Sequence, residues 1–465
     1  MKVEQIYTGC LAEAAYYIES RGEAAIIDPL RETAPYIRRA EKDGAKIKYI
    51  FETHFHADFV SGHVELAQKT GAKIVYGPNA HCDFDHHSAK DGEEFKIGDL
   101  TLRVLHTPGH TLESSTYLLL DESGKEYCIF SGDTLFIGDV GRPDLAIKSD
   151  LTVNDLAGMM YESLRTKILP LPNDVIVYPA HGAGSACGKN LSKETFDTLG
   201  HQKEVNYALK PQSKEDFIKA VTEGIAPAPA YFPLNAMMNK QGAKGLDAIQ
   251  DQALRALSPQ EFEDAAKATD ALVLDTRAPQ VFAKAFVPGS VNIGLDGQFA
   301  PWVGALITSI TQPILVVCDA GREEETIMRL ARVGYDNTLG YLAEGIEAWE
   351  QSGKPVDHIE SITATEFEKE HWDKNLCVLD VRRPGEYDTA HIAGVPNHPL
   401  DYINDWMGTL PSQKPYYIHC AGGYRSMIAA SIMKSRGYDQ VIDIAGGYGA
   451  IAKTGLPKES GVAVS

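Results

Sequence analysis

The chain has 465 residues, of which 44% are hydrophobic and 23% charged, and its formal net charge is −20. This composition is ordinary for globular proteins, predicts about three domains of roughly 150 residues each, and argues against nucleic acid or an anionic membrane as a partner. Seven scattered cysteines without a C-x-x-C pair, and an N-terminus without a basic region followed by an apolar run, favour a reducing compartment and a cytoplasmic protein with no membrane attachment.

The first part of the chain, about residues 1–210, alternates short β-branched runs with polar turns and helical stretches. Strands are predicted within EAAIIDP, KIKYIFETH, AKIVYG, LTLRVLHTPGH, EYCIFSGD and DVIVYPAHG. A layered α/β fold of this kind concentrates its chemistry in the loops at strand ends. Residues 211–256, which include APAPAYFPLNAMMNKQGAKG, are rich in Pro, Ala and Gly and are predicted to be a linker over a domain surface.

The rest of the chain repeats itself at domain scale. LVLDTRAPQVFAKAFVPGSVNI is echoed by CVLDVRRPGEYDTAHIAGVPNH, which aligns Asp275 with Asp380 and Arg277 with Arg382. In each copy an apolar strand enters a loop and then a helix, which predicts a small parallel α/β sheet. The predicted domains are therefore 1–256, 257–358 and 359–465.

Six residues of the types that bind metals follow the predicted strands of the first domain, within the motifs THFHADF, LHTPGHT, FSGDT and YPAHG. They are His54, His56, Asp58, His110, Asp133 and His181. Neutral imidazoles together with a carboxylate suit a first-row divalent metal. Unrelated surface or capping histidines are the alternative, but six such residues in four strand-end loops favour a metal site.

These motifs resemble the metallo-β-lactamase superfamily over most of residues 1–200, and the resemblance implies an αββα sandwich. The usual pattern of that family has a second His directly after the Asp, which helps to bind a second metal. Here that position is Phe59, whose apolar ring cannot ligate. The substitution argues against a two-metal hydrolytic site.

The remaining ligand-type residues are similar to those of the persulfide dioxygenase branch of the superfamily, in which two histidines and one aspartate hold one iron. The similarity implies one Fe(II) per chain, with the conversion of a thiol persulfide, O₂ and water into thiol and sulfite. A 2-His-1-carboxylate face leaves positions free for substrate and oxygen. The implied ligands are His54, His110 and Asp133, and the implied ligand-orienting or substrate-binding residues are His56, Asp58 and His181.

Further candidates lie in two later loops. In FIGDVGRPD, Arg142 and Asp144 match a substrate-contacting stretch of the same branch, so Arg142 is expected to hold a carboxylate of the thiol carrier, with a surface ion pair as the alternative. Cys187, six residues after His181, is a candidate for holding or passing on a sulfane sulfur. A small buried thiol is the alternative for Cys187.

The last domain contains PYYIHCAGGYRSMIAAS, in which an apolar strand delivers Cys420 into a Gly-rich loop before a helix. Backbone N–H groups around Gly422 and Gly423, together with the helix N-terminus and Arg425, predict an anion cradle that favours a thiolate. The segment resembles the rhodanese family over roughly residues 361–460, in which the loop cysteine carries sulfur. Phosphatase chemistry is disfavoured because only four residues separate Cys420 from Arg425 instead of five, and a buried structural cysteine is the remaining alternative.

The first copy departs from this pattern. Its segment PILVVCDAGREEETIMRL places Cys318 before three glutamates, Glu323 to Glu325. Carboxylates there would repel a thiolate or sulfite, although glutamates also suit a first helical turn. We expect this copy to be catalytically silent and structural.

The fusion predicts that sulfite from the iron site and sulfur on Cys420 combine to form thiosulfate. The opposite direction of transfer stays open, as does the carrier thiol, which is glutathione, coenzyme A or another small thiol. Two other functions stay open as well: a two-metal thioester hydrolase of the glyoxalase II kind, and a sulfur-relay protein without oxygenase activity. The resemblance also implies a homo-oligomer.

Overall fold

The computed structural model describes residues 1–146, 151–372 and 376–461. The chain divides into two compact units, Met1–Ala248 with Ala331–Gly334 and Ile249–Leu330 with Tyr335–Ser465. Within the described ranges, no helix has both the length and the apolar character that a membrane span requires.

The strands and helices of the first unit alternate along the chain. The strands are β1 (Lys2–Thr8), β2 (Glu13–Ser20), β3 (Glu23–Ile27), β4 (Lys46–Glu52), β5 (Lys73–Tyr76), β6 (His87–Ser88), β7 (Glu94–Ile97), β8 (Leu100–His106), β9 (Ser115–Leu120), β10 (Glu126–Gly132), β11 (Ile176–Pro179) and β12 (Asp197–Thr198). The helices are α1 (Ala34–Lys42), α2 (His63–Thr70), α3 (Val153–Ser163), α4 (Leu199–Val205), α5 (Lys214–Thr222), α6 (Phe232–Gln241) and α7 (Leu246–Ala253), which ends beyond the division of the chain.

The first unit is a four-layer αββα sandwich, as the resemblance implied. One sheet has the order β1-β2-β3-β4-β5-β6 and the other β12-β11-β10-β9-β8-β7. A buried cluster that includes Phe51 and Phe130 draws residues from both sheets and lies between them. Two further clusters join the outer faces to helices, one through Tyr36 of α1 and one through Met160 of α3.

Strand β9 shows why these sheets are apolar on both faces. Tyr117 and Leu119 belong to the cluster between the sheets, whereas Leu118 and Leu120 belong to the cluster under α3. Because successive side chains of a strand point to opposite faces, a continuous apolar run is buried on both sides. The six strands predicted from the sequence are present in this unit, and the other strands, β1, β2, β6, β7, β9 and β12, were not predicted.

The second unit holds the two copies of the repeat. Its strands are β13 (Ala256–Leu257), β14 (Leu272–Asp275), β15 (Val291–Asn292), β16 (Ile314–Val317), β17 (Thr338–Leu342), β18 (Glu360–Thr363), β19 (Cys377–Asp380), β20 (His391–Ile392), β21 (Tyr416–His419), β22 (Val441–Ala445) and β23 (Lys458–Glu459). Its helices are α8 (Pro259–Thr269), α9 (Pro279–Phe282), α10 (Phe299–Leu306), α11 (Glu323–Arg332), α12 (Gly345–Gln351), α13 (Ala364–Glu366), α14 (Pro384–Thr389), α15 (Ile403–Trp406), α16 (Tyr424–Ser435) and α17 (Gly447–Ile451).

Each copy forms a parallel sheet, as predicted. The strand order is β13-β17-β16-β14-β15 in the first copy and β18-β22-β21-β19 in the second, which also has the small antiparallel pair β20-β23. The register repeats as well, because Asp275 at the end of β14 lies opposite Val317, and Asp380 at the end of β19 lies opposite His419. The internal repeat of the sequence is therefore a repeat of structure.

The prediction that residues 211–256 form a linker was wrong, because helices α5, α6 and α7 occupy much of this range. Helix α6 has Pro233 in its first turn, where a missing N–H costs nothing, and Gly242 with φ +87° ends it. Asn235 and Asn239 of α6 are buried. A sequence rich in Pro, Ala and Gly thus belongs to the packed structure of the first unit.

Replacing Arg277 with Leu should destabilise the second unit. The Arg277 guanidinium donates to both carboxylate oxygens of buried Asp275, at 2.6–3.1 Å, and its loss leaves a buried charge unpaired. We expect the free energy of unfolding to fall by about 3–5 kcal/mol. The four tryptophans, at positions 302, 349, 372 and 406, all belong to this unit, so their fluorescence during chemical denaturation follows it selectively.

The matched control is Lys267→Met, because the Lys267 side chain is 69% exposed in its pair with Glu263. An exposed pair of this kind contributes about 0–1 kcal/mol. Equal losses for Arg277→Leu and Lys267→Met would contradict the importance assigned to the buried pair.

Candidate metal centre and sulfur-carrying loop

The loops at the ends of β4, β8 and β10 bring together a group of two histidines and one aspartate. One ligand atom each of His54, His110 and Asp133 lies within 4.8 Å of the others, and all three side chains are buried. Nε2 of His54 and Oδ2 of Asp133 have no hydrogen-bond partner among the described residues. Unsatisfied buried nitrogen and carboxylate atoms facing one another fit a divalent metal ion.

The tautomers of both histidines suit metal binding through Nε2. The Thr53 hydroxyl donates to Oδ2 of Asp28 at 2.8 Å, so it accepts from Nδ1 of His54 at 2.9 Å. Nδ1 of His110 donates to the carbonyl oxygen of Arg142 at 2.8 Å. Because Nδ1 carries the proton in each ring, the lone pair of Nε2 is available.

His181 joins the carboxylates of Asp133 and Asp58. Its Nδ1 lies 2.7 Å from Oδ1 of Asp133 and its Nε2 lies 2.8 Å from Oδ2 of Asp58. Burial alone would lower the pKa of His181, but Asp133 and Asp58 raise it well above its usual value. Its Nδ1 hydrogen-bonds to Asp133, whereas its Nε2 makes an ion pair with Asp58 but has no hydrogen-bond partner among the described residues.

His56 turns away from the group of His54, His110 and Asp133. Its Nε2 lies 3.1 Å from Oδ1 of Asp28, and its ring packs on Phe59 with the ring centroids 4.3 Å apart. Phe59 is fully buried, so an apolar ring fills the position where the family pattern has a metal ligand. A second group of close ligand-type atoms does exist, and it consists of His56, Asp58 and His181.

The Arg142 side chain forms hydrogen bonds with other residues of the protein. Its Nε and Nη2 donate to the two carboxylate oxygens of Asp144 at 2.6 and 2.7 Å, and other donors reach the carbonyls of Ala186 and Ala226. The side chain is 5% exposed. The ion pair is the alternative that the sequence left open for Arg142, and the backbone carbonyl of Arg142 accepts from Nδ1 of His110.

Cys187 lies beside the same centre. Its Sγ is within 4.8 Å of ligand atoms of Asp133 and His181, and its carbonyl accepts from the backbone N–H of Arg142. Burial raises the pKa of the Cys187 thiol well above its usual value, and nearby Asp58 and Asp133 raise it further. With these charges around it, the thiol stays protonated.

A cavity of about 500 Å³ opens next to the group of His54, His110 and Asp133. That volume is in the range of small-molecule sites. Its wall includes Phe55 and Thr111, the neighbours in sequence of His54 and His110, and helix α6 completes it through Phe232 and Lys240. Sequence reasoning missed α6 as a wall because its residues have no clear helical period. The other lining residues include Asn79, His81, Glu113, Asp144, Ala236 and Met237.

In the second copy, β21 delivers Cys420 into the loop that precedes α16. The Sγ atom is buried and accepts a hydrogen bond from the backbone N–H of Gly423 at 3.1 Å. Gly423 has φ +106°, a conformation that favours glycine. On the other side, the carbonyl of Cys420 accepts from the N–H of Tyr448, and a Cβ at Gly447 would lie only 2.4 Å from that carbonyl. The loop is thus held from both sides.

Gly422 and Arg425, the other two residues predicted to form the anion cradle, have different surroundings. Gly422 is exposed and has open space around its Cα. The Arg425 guanidinium forms a two-bond pair with the carboxylate of Glu386, at 2.6 and 2.7 Å. Arg425 therefore has a protein partner next to the cysteine loop.

The first copy has the same fold but a different loop chemistry. The N–H of Gly321 donates to the carboxylate of Glu323 at 3.1 Å, whereas the N–H of Gly423 donates to sulfur in the second copy. Burial and, next, the Glu323 carboxylate together raise the pKa of Cys318 to about 12. The first-copy thiol lacks the environment that would stabilise a thiolate.

Comparison with known proteins agrees with this architecture. The family model described as the metallo-beta-lactamase superfamily matches residues 8–181, and that of the rhodanese-like domain matches residues 258–352 and 363–454. A solved metallo-beta-lactamase structure from Staphylococcus aureus is 31% identical, with a TM-score of 0.65, over 74% of this chain and 98% of that one.

Two kinds of curated relative are similar to the first unit. The mitochondrial persulfide dioxygenase ETHE1 of Homo sapiens is 32% identical over 45% of this chain and 75% of its own length. The hydroxyacylglutathione hydrolase of Tolumonas auensis is 35% identical over 36% of this chain and 60% of its own length. Because both relatives are about equally similar to this chain, sequence identity alone does not distinguish an oxygenase from a hydrolase, and the geometry of the site is the remaining evidence.

Replacing Phe59 with His should increase the number of metal ions bound per chain. A histidine at this position adds a ligand next to Asp58 and His56, where Phe59 now packs. We expect about one ion per chain in the unaltered protein and about two in Phe59→His. Elemental mass spectrometry after anaerobic loading with iron or zinc measures both values.

The control is Phe59→Leu, which keeps an apolar side chain and should leave the metal content unchanged. If Phe59→His and Phe59→Leu bind the same amount of metal, the identity of residue 59 does not limit the metal count.

Proposed function

Because the chain belongs to the metallo-beta-lactamase superfamily and carries rhodanese-like domains after that domain, we propose that it is a persulfide dioxygenase with one Fe(II) per chain, coupled to sulfur transfer by Cys420. The observation that carries the proposal is the environment of residue 59. Phe59 packs on His56, and His181 lies between two carboxylates, so the geometry favours a single ion.

His54, His110 and Asp133 would hold the ion. When bound, Fe(II) supplies open coordination positions and redox chemistry for a persulfide and O₂. The protein fixes the ligands: Thr53 and the Arg142 carbonyl set the two imidazole tautomers, and His181 holds the carboxylate of Asp133.

The overall reaction is RSSH + O₂ + H₂O → RSH + SO₃²⁻ + 2H⁺. The outer sulfur loses four electrons and O₂ gains four. The cavity beside the centre would receive the carrier RSSH, with Phe55 and Phe232 against its apolar part and Lys240 and His81 near its anionic groups. In a chain of net charge −20, such local positive groups assist the binding of an anion.

Cys420 would then carry sulfur between two reactants. Its thiolate attacks the outer sulfur of RSSH, the S–S bond breaks, and RSH leaves with the proton. Sulfite next attacks the outer sulfur of the Cys420 persulfide, thiosulfate forms and the Cys420 thiolate is regenerated. The Gly423 N–H stabilises the anionic sulfur in both forms. Cys187, whose thiol stays protonated beside Asp133, has no sulfur-carrying role in this proposal.

The second candidate function is thioester hydrolysis with two metals. It is favoured by the close group of His56, Asp58 and His181 and by the similarity to hydroxyacylglutathione hydrolases. A sulfur-relay protein without oxygenase activity is a third candidate, and it predicts no oxygen consumption. We place the domain limits at 1–256, 257–358 and 359–465; the family matches within them cover residues 8–181, 258–352 and 363–454.

The Cys420→Ser variant separates the two activities. Iron-loaded protein given glutathione persulfide should consume oxygen at the same rate, within about twofold, with and without the substitution. The variant should release sulfite but form at least ~100-fold less thiosulfate, because it lacks the nucleophile. An oxygen electrode and chromatography of sulfite and thiosulfate provide the readouts.

The first copy offers a matched control, Cys318→Ser, which removes the thiol from the silent loop and should leave thiosulfate formation intact. Loss of thiosulfate in Cys318→Ser, or its retention in Cys420→Ser, would sink the assignment of the sulfur carrier.

A further inference from the structure

Helix α16, which follows the sulfur-carrying loop, is anchored on the first rhodanese-like copy. The Tyr424 hydroxyl donates to the carbonyl of Gly294 at 2.7 Å. The Tyr424 ring lies against Gly297, where an added Cβ would be 2.8 Å from Cζ of the ring. We call this position, formed by Gly294 and Gly297, the glycine slot.

One further hydrogen bond ties α16 directly to the same copy, and Asp443 of β22 links the helix to that copy through two more. The Ser431 hydroxyl accepts from the backbone N–H of Asn292 at 2.9 Å. Asp443 accepts from the Ser426 hydroxyl at 2.7 Å and from the Gln280 amide at 3.3 Å. The helix is therefore held in its first turn and again near its middle.

The internal repeat shows that the slot is special to the first copy. Asn292 and Asn397 are equivalent, since each side chain donates to the carbonyls of the Asp and Arg of its own copy. Counting from these residues, Pro399 and Tyr402 stand in the second copy where the first has Gly294 and Gly297. Side chains at both positions would fill the space that the Tyr424 ring occupies.

We propose that the first rhodanese-like copy positions the sulfur-carrying loop of the second, with Tyr424 as the positioning residue held in the glycine slot. Tyr424 directly follows Gly423, whose N–H donates to Sγ of Cys420. Fixing the ring fixes the direction of that N–H and the start of the helix. This inference rests on the proposed role of Cys420, and it gives the silent copy a function that requires no chemistry of Cys318.

Gly297→Ala is the sharpest variant. Gly297 does not have a left-handed φ, so alanine meets only the Tyr424 ring and strains no backbone. We expect kcat/KM for sulfur transfer from thiosulfate to cyanide to fall at least ~10-fold, because the donor to sulfur moves out of line. Gly408→Ala is the matched control, since its Cβ meets no atom within 4 Å and it should keep full activity.

A second readout separates positioning from folding. The rate of Cys420 alkylation by iodoacetamide, followed by peptide mass spectrometry, is measured against pH in the full-length protein. Weakening the Gly423 hydrogen bond destabilises the thiolate, so the midpoint of this profile should rise by on the order of one pH unit in Gly297→Ala. Tyr424→Phe keeps the ring and should show a smaller shift than Tyr424→Ala.

A double-variant cycle tests whether the contact itself is responsible. Gly297→Ala combined with Tyr424→Ala should be no worse than Tyr424→Ala alone, because the two changes remove one interaction. Additive losses, or an alkylation profile identical to the unaltered protein, would overturn the proposal.

Failure of the proposed function would look different. If the unaltered protein transfers no sulfur, Cys420 is not a carrier, yet the alkylation profiles still report whether the slot positions its thiol.

Discussion

The buried carboxylate of Asp133 is the constraint around which the loops of the first unit are arranged. Burial alone would raise the pKa of Asp133, but His181, His54 and His110 lower it far below its usual value. A buried carboxylate is tolerated only when opposite charge and hydrogen bonds surround it. His181 satisfies one oxygen, and the other faces the two histidines whose lone pairs point to the same place. That arrangement supports the proposed binding of a cation by His54, His110 and Asp133.

A similar requirement applies to the proposed sulfur carrier of the second unit, because a buried thiolate or persulfide needs a hydrogen-bond donor. The two copies differ in this donor. The N–H of Gly423 donates to the sulfur of Cys420, whereas the N–H of Gly321 donates to the carboxylate of Glu323. The copy that lost the donor keeps its fold, since the Asp275–Arg277 pair is retained. In the proposed division of roles, the second copy performs the sulfur chemistry and the first copy supports it. Tyr424 contacts the first copy through its hydrogen bond to the carbonyl of Gly294.

The strands, the αββα sandwich and the repeat could be predicted because apolar runs and motifs are local features of the sequence. The ligand-type residues were found for the same reason, since each follows a strand. The orientation of His56 toward Asp28 could not be predicted, because separate strands bring them together. The sequence left open whether Arg142 contacts substrate or forms an ion pair, because both have the same sequence signature; in the structure it pairs with Asp144. Helix α6 was missed because its sequence, FPLNAMMNKQ, has no clear helical period.

The most direct test is to load the protein anaerobically with iron and measure, on one sample, bound iron, oxygen consumed and sulfite plus thiosulfate formed from glutathione persulfide. The account predicts about one iron per chain and one O₂ consumed for each persulfide sulfur oxidised. Two metal ions per chain, no oxygen consumption and rapid hydrolysis of a glutathione thioester would contradict it and establish the hydrolase instead.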